Sequence, residues 1–461
     1  MWRSLPILLW LAACASGASP ASAPDVPAAA ADVPAVPDAL VHDEVNGQTD
    51  TRDDATGPYD LDAPSDTTTP DDSLDALDAT TPSDVPDVAP APSDAAADGS
   101  DDTPAAPQPV WDLPPWVDQH HITGVPLDGA GESPDLTFTL PSGHHTFLIV
   151  VTSGEPAVWH MLAKLVTPQG KPVVKPSGGF DCIPCQNRVV GTHTVATFLF
   201  PTTPDLAVKS GKYVLRLQAS IPGPAAFDPW HGTVDVAILM AKGDDPPPMA
   251  ELDLALRFTG SGTLTAETAP SDARLQQALT ELAALYATAG VAIGDVTYAA
   301  APQDLQLIET VTGPESDLAQ LLSLATAPAG AVDVFFVDQI HVQKEDGASI
   351  VLGIAGGIPG PALVPGTVHS GVAVSTLPPF GPVDHLGTVI AHELGHYLGL
   401  FHVVEDPAGP YVPDPLADTP DDDLYNVMWW TADGLVEESA KHFTPHQADV
   451  IRRNPATRPT P

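Results

Sequence analysis

Residues 21–110 cannot build a hydrophobic core, and this confines folding to the rest of the chain. They carry 21 acidic side chains against a single basic one, Arg52, with 14 prolines and one aromatic, Tyr59. A stretch so acidic and so poor in large apolar groups buries too little surface to offset the entropy of ordering it. Its Pro-Asp-Ala-Ser composition reads as a stiffened, self-repelling linker over 15–108. An acidic calcium-sequestering tail is the other reading, and it needs ordered carboxylates. The linker holds about half of the formal net charge of −43, a charge that argues against a nucleic-acid partner. No apolar run reaches the roughly 18 residues of a membrane-spanning helix.

The first 14 residues, MWRSLPILLWLAAC, place Arg3 before a short apolar core from Leu5 to Leu11, then small residues and a cysteine. That is the layout of a secretory signal. Leu11-Ala12-Ala13-Cys14 resembles a bacterial lipobox. The resemblance implies lipidation of Cys14, a membrane anchor through the lipid, and a place in the bacterial cell envelope. An ordinary cleaved signal with an incidental Cys14 is the alternative. The remaining cysteines, Cys182 and Cys185 in Asp-Cys-Ile-Pro-Cys, are expected to close a small disulfide loop, as close pairs in exported proteins do. A thiolate that blocks a catalytic metal in a latent form is the rival reading.

From Trp111 the aromatics return and apolar residues alternate. Strands are expected at 136–140, 147–151, 159–166, 195–200, 213–217 and 234–240, separated by Gly and Pro turns. No helical period interrupts them, which predicts a β-sandwich over 109–245. The histidines here, among them His144 and His145 after Ser-Gly, lack metal spacing and read as turn, structural or surface residues. Gly243 to Pro248 is a stiff break.

Residues 250–461 change character. Strands at 252–258, 291–298, 332–340 and 368–375 alternate with helical stretches at 275–286 and 317–325, the order of an α/β domain with a mixed sheet. A longer helix carries the chemistry, from Asp384 through His392-Glu393-Leu-Gly-His396 to Gly399 and His402. His392 and His396 lie four apart and project from one helix face, where they can share a zinc ion. Glu393 beside them is placed to move a proton from water to a leaving amine. Gly399 can adopt positive φ and turn the chain so that His402 returns as third ligand, leaving a fourth position open. A buried amphipathic helix with incidental histidines is the bland alternative.

His-Glu-x-x-His extended through Gly399 to His402 resembles the metzincin clan of zinc endopeptidases. The resemblance implies a metzincin-type domain with a long active-site helix, and Asn426-Val-Met428 stands where the clan has a methionine turn. Within the clan, Asp414-Pro-Leu-Ala-Asp418-Thr419-Pro420 and Thr444-Pro445-His-Gln447 resemble the pappalysins, with Thr444 and Gln447 expected to form a capping box. The sequence departs from that family in lacking cysteines after Cys185 and in having Trp430 where many members have a tyrosine. By the same resemblance, 368–375 would be the edge strand that pairs with substrate. Asp414 and Asp418, with Glu405, Asp406 and Asp421 to Asp423 nearby, are candidates to hold calcium; a solvated acidic loop fits equally, and Asp418-Thr419-Pro420 reads rather as a brace for the loop leading to the methionine turn. The expected whole is a monomeric, lipid-anchored zinc endopeptidase acting on proteins or peptides. A surface binding or adhesion lipoprotein with a weak or inactive peptidase domain is the alternative.

Overall fold

The computed structural model describes residues 13–15, 111–175, 179–223, 226–328, 330–344, 347–377, 385–405, 412–430 and 440–460. The signal before Ala13, the linker beyond Ala15, Asp384 and Asp406 lie outside the described residues. The fold is built from several β-sheets and few helices.

The first half is two antiparallel sheets. One has four strands in the order β1 (Val117–Pro126), β8 (Thr233–Lys242), β3 (His144–Ser153) and β6 (Val195–Phe200). The other is centred on β7 (Gly211–Pro222), flanked by β2 (Leu136–Leu140) and β4 (Trp159–Val166), with β5 (Pro172–Val174) beyond β4. The two sheets differ in pattern for a physical reason. Leu-Thr-Phe-Thr-Leu in β2 alternates buried and exposed, as a strand with one wet face must. In β3, by contrast, every residue from His145 to Val151 is buried, and so is all of β6. Such runs mean burial on both faces. Phe147, Ile149 and Val151 face the other sheet of the sandwich, while Leu148 and Val150, with Leu199 and Leu239, pack into the core of the C-terminal half. His144 and His145, expected in a turn, open β3 instead, with His145 buried.

The C-terminal half is a mixed sheet. Its strands run in the order β10 (Val291–Ala300), β9 (Ala250–Phe258), β11 (Ala331–Val337), β14 (Val372–Ser375), β13 (Gly347–Ala355) and β12 (Gln339–Lys344). The first four are parallel, and β13 runs antiparallel to both of its neighbours. Two expectations are corrected. The run 332–340 is two strands, broken after Val337. The strand at 372–375 is no edge, because β11 and β13 hold both its sides. The antiparallel strand near the margin is β13, and Ala13–Ala15 pairs with its end through Ile354 and Val351.

Helices α1 (Ala273–Thr288), α2 (Asp317–Leu322), α3 (Leu386–Tyr397) and α4 (Pro445–Arg453) cover this sheet. Asp272 and Ser316 cap the first two by accepting from Leu275 N and Ala319 N. Thr444 and Gln447 form the expected capping box on α4. Polar contacts join the halves, with Thr197 Oγ1 donating to Pro359 O at 2.6 Å; within the first half, Asn187 Nδ2 donates to Leu199 O of β6 at 2.9 Å. His369 Nε2 lies 2.8 Å from His193 O, and the described residues from 111 onward form one compact unit.

Two predictions follow from the shared core. Leu239→Ala should cost about 2–5 kcal/mol, the usual range for a buried leucine, and should lower a single transition seen alike by β-sheet and helix signals. Burial pushes His160 down to about 4 and His193 to about 3. Both stay neutral in the folded state while the unfolded chain takes up protons near pH 6.5. Stability should therefore fall as pH drops from about 6.5 towards 4, by up to about 1.4 kcal/mol per unit for each group. Denaturant titrations across that range should show a shallower slope for His160→Leu.

Candidate metal centre

Every residue of α3 is buried, which is why its sequence, Leu-Gly-Thr-Val-Ile-Ala-His-Glu-Leu-Gly-His-Tyr, is apolar all round apart from the chemical groups. Small residues let it sit close to its neighbours. A Cβ on Gly387 would lie 2.7 Å from Ala278 O of α1, and Tyr286 of α1 donates its hydroxyl to Ala391 O at 3.2 Å. The helix ends at Gly399, whose φ of +113° suits only glycine, and Leu400 N turns back to Gly395 O at 2.9 Å. Leu199 of β6 presses on that turn, 3.0 Å from where a Cβ would stand. The reversal brings His402 against His392 and His396.

The three imidazoles are oriented by their far nitrogens. Nδ1 of His392 lies 2.8 Å from Val427 O, that of His396 2.8 Å from Leu400 O, and that of His402 2.8 Å from a Glu405 carboxylate oxygen. Carbonyl and carboxylate oxygens only accept, so each Nδ1 carries the proton and each Nε2 presents a lone pair. Those Nε2 atoms are 2.9, 3.1 and 3.2 Å apart. Three acceptors facing one another have no hydrogen to share. Burial, and after it the neighbouring imidazoles, holds His392 and His396 well below the ordinary histidine range, in the neutral form that binds metal. The spacing approaches the roughly 3.4 Å edge of a tetrahedron with bonds of about 2.0–2.1 Å. A metal ion fits this donor set, and among the described residues it is the one group of three such side chains placed to hold one.

Met428 lies against the ligand helix. It is fully buried, and a Cβ on Gly395 would stand 2.5 Å from its sulfur. Its segment grips the ligands from below: Val427 O holds His392, and Met428 O accepts from Val403 N, next to His402, at 3.1 Å. Asn426 Oδ1 accepts from Met428 N and from Gln447 Nε2 of α4, which ties the turn to the last helix.

Glu393 is buried beside the triad and packs on β13. A Cβ on Gly353 would lie 2.5 Å from its Cγ and 2.7 Å from Oε1, so glycine there makes room for the carboxylate. Trp430 is half-buried, and its indole N–H makes no hydrogen bond among the described residues.

Asp414 and Asp418 act within the loop. Asp414 accepts from Thr419 Oγ1 at 2.6 Å and Leu416 N at 3.0 Å, and burial pushes its carboxyl up to about 7. Asp418 accepts from Thr444 Oγ1 and His446 N at the start of α4, both at 2.9 Å. The two therefore brace the path to the methionine turn. Cys182 and Cys185 are joined in a disulfide. Cys14 contributes its backbone to the short strand on β13.

Sequence reasoning missed two functional parts. Glu405 was visible only as one acid among several; its place three residues after His402 was the available signal. β13 was overlooked although Ser-Ile-Val-Leu-Gly-Ile is rich in strand formers. No helix among the described residues is long and apolar enough to cross a membrane.

No family model matches the chain, and no curated protein matches it. Solved structures give slight likenesses. Infectious bursal disease virus (Gx strain) aligns over 28% of this chain and 33% of its own at 14% identity, with a TM-score of 0.17. A family two carbohydrate esterase from Cellvibrio japonicus aligns over 39% of this chain and 52% of its own at 11% identity, with a TM-score of 0.14. Neither is close enough to bear on fold or activity.

Proposed function

We propose that this chain is a zinc-dependent endopeptidase of metzincin type, similar to the pappalysins, held at the bacterial cell envelope by a lipid on Cys14 and acting as a monomer on exported proteins or peptides. The observation that carries the reading is the convergence of three Nε2 lone pairs beside a buried carboxylate on the adjoining helical residue. Zinc suits three neutral imidazoles with an open fourth position, and when bound it supplies Lewis acidity for the scissile carbonyl and for the attacking water.

The protein groups do the rest. Glu393 takes the proton from the attacking water and passes it to the leaving amine. Its burial beside Gly353 fixes the carboxylate against the end of β13. The margin of β13 near Ile354 accepts an extended strand, as its pairing with Ala13–Ala15 illustrates. A substrate added there would lie antiparallel to β13, with its backbone opposite Gly353 and hence beside Glu393. Met428, packed under Gly395, holds the ligand helix and the His402 loop at a fixed separation.

The test is cleavage of an unfolded protein by the zinc-loaded chain. Glu393→Gln should keep one ion per chain yet lose about 100-fold or more in turnover, the usual weight of a general base. Equal cleavage by the variant would overturn the assignment. Gly353→Ala should displace the carboxylate and lower kcat more than it raises KM, again with metal retained; steady-state kinetics beside metal analysis would show it.

A further inference from the structure

The β-sandwich reaches into the metal centre through one side chain. Arg188 follows the disulfide-closed turn Cys182–Cys185, and its guanidinium is buried. It makes a two-pronged contact with Asp181, Nε to Oδ1 at 3.1 Å and Nη2 to Oδ2 at 2.7 Å. The same Nη2 lies 3.5 Å from Glu405 Oε1, while Glu405 Oε2 accepts from His402 Nδ1 at 2.8 Å. The guanidinium also stacks on Phe401, 4.1 Å from the ring centre. Backbone contacts set the loop: Asp181 bridges Val190, Cys182 N bonds Val189 O, and Cys185 N bonds Cys182 O, each at 3.0 Å for the last two.

We infer that Arg188 is a positioning residue for the third metal ligand: held by the disulfide loop, it clamps Glu405 so that the carboxylate fixes the tautomer and direction of His402. The chemistry favours this arrangement. A carboxylate buried beside a histidine has several rotamers, and only one aims an oxygen at Nδ1. A cation on its other oxygen selects that one and offsets the cost of burying the charge. The carboxylate in turn makes the imidazole a better donor to a metal, and partners of this kind are commonly worth about 10- to 100-fold in metal affinity. An arginine serves better than a lysine, because the fork holds Asp181 with two bonds and still reaches Glu405. The sandwich is thereby part of the metal centre.

This inference rests on metal binding by the triad and not on the hydrolytic reading, so its test reads the metal. In the full chain, Zn2+ affinity is measured by chelator competition, and Co2+ is bound as a spectroscopic stand-in. Arg188→Met combined with Asp181→Asn removes the ion pair without stranding a carboxylate at 181. It should weaken metal binding about 10- to 100-fold and shift the Co2+ absorption, with Arg188→Lys intermediate. If the arginine acts through Glu405, replacing it in a Glu405→Gln background should add little, a departure from additivity that a merely structural role would not produce. Should the double variant fail to fold, Cys182→Ser with Cys185→Ser loosens the same loop and should weaken affinity in the same direction. A folded variant of either kind that binds metal like the wild type overturns the inference. A wild type that binds metal but cleaves nothing overturns the hydrolytic reading alone, and one that binds no metal overturns both.

Discussion

Three hydrogen bonds from imidazole Nδ1 groups hold this molecule's chemistry in place. Val427 O, Leu400 O and Glu405 fix the protons on the outer nitrogens, and the inner lone pairs then have nothing but one another to face. Such an arrangement is unfavourable by itself, so the surrounding protein must enforce it. Much of the C-terminal half does so. The methionine turn supplies one acceptor, the reversal at Gly399 supplies the second, and the sandwich clamps the third through Arg188.

That last link changes how the two halves relate. Strands β3 and β6 of the four-stranded sheet are dry on both faces, one against the partner sheet and one against the C-terminal core, so they belong to both. An accessory module joined by a linker would show one wet face. Here the sheet instead forms a floor under the turn that delivers His402, with Leu199 against Gly399.

The sequence made some of this legible and hid the rest, for identifiable reasons. Local patterns were readable: the capping box at Thr444 and Gln447, the alternation of β2 and the spacing of the three histidines each depend on a few adjacent residues. Contacts between distant segments were not. Nothing near Arg188 announces Glu405, more than two hundred positions later. The strand β13 was lost because a short apolar run carries no period that separates it from a buried turn. The strand at 372–375 is an edge only by the family resemblance, and in the structure β11 and β13 cover both its sides. The double burial of β3 was written in Phe-Leu-Ile-Val-Val, a run that suits a strand covered on both faces.

The tie between Asn426 and Gln447 has a consequence in time as well as in space. Asn426 holds the methionine turn, and Gln447 of the last helix holds Asn426, while Asn454 Nδ2 reaches back to Leu398 O at the exit of the ligand helix. Residues made well after the three histidines, α4 and the turn beyond it, thus hold the imidazoles in place. Because Leu148, Val150, Leu199 and Leu239 belong to the core of the C-terminal half, the sandwich does not settle ahead of it. The geometry of the three imidazoles therefore waits until α4 is in place.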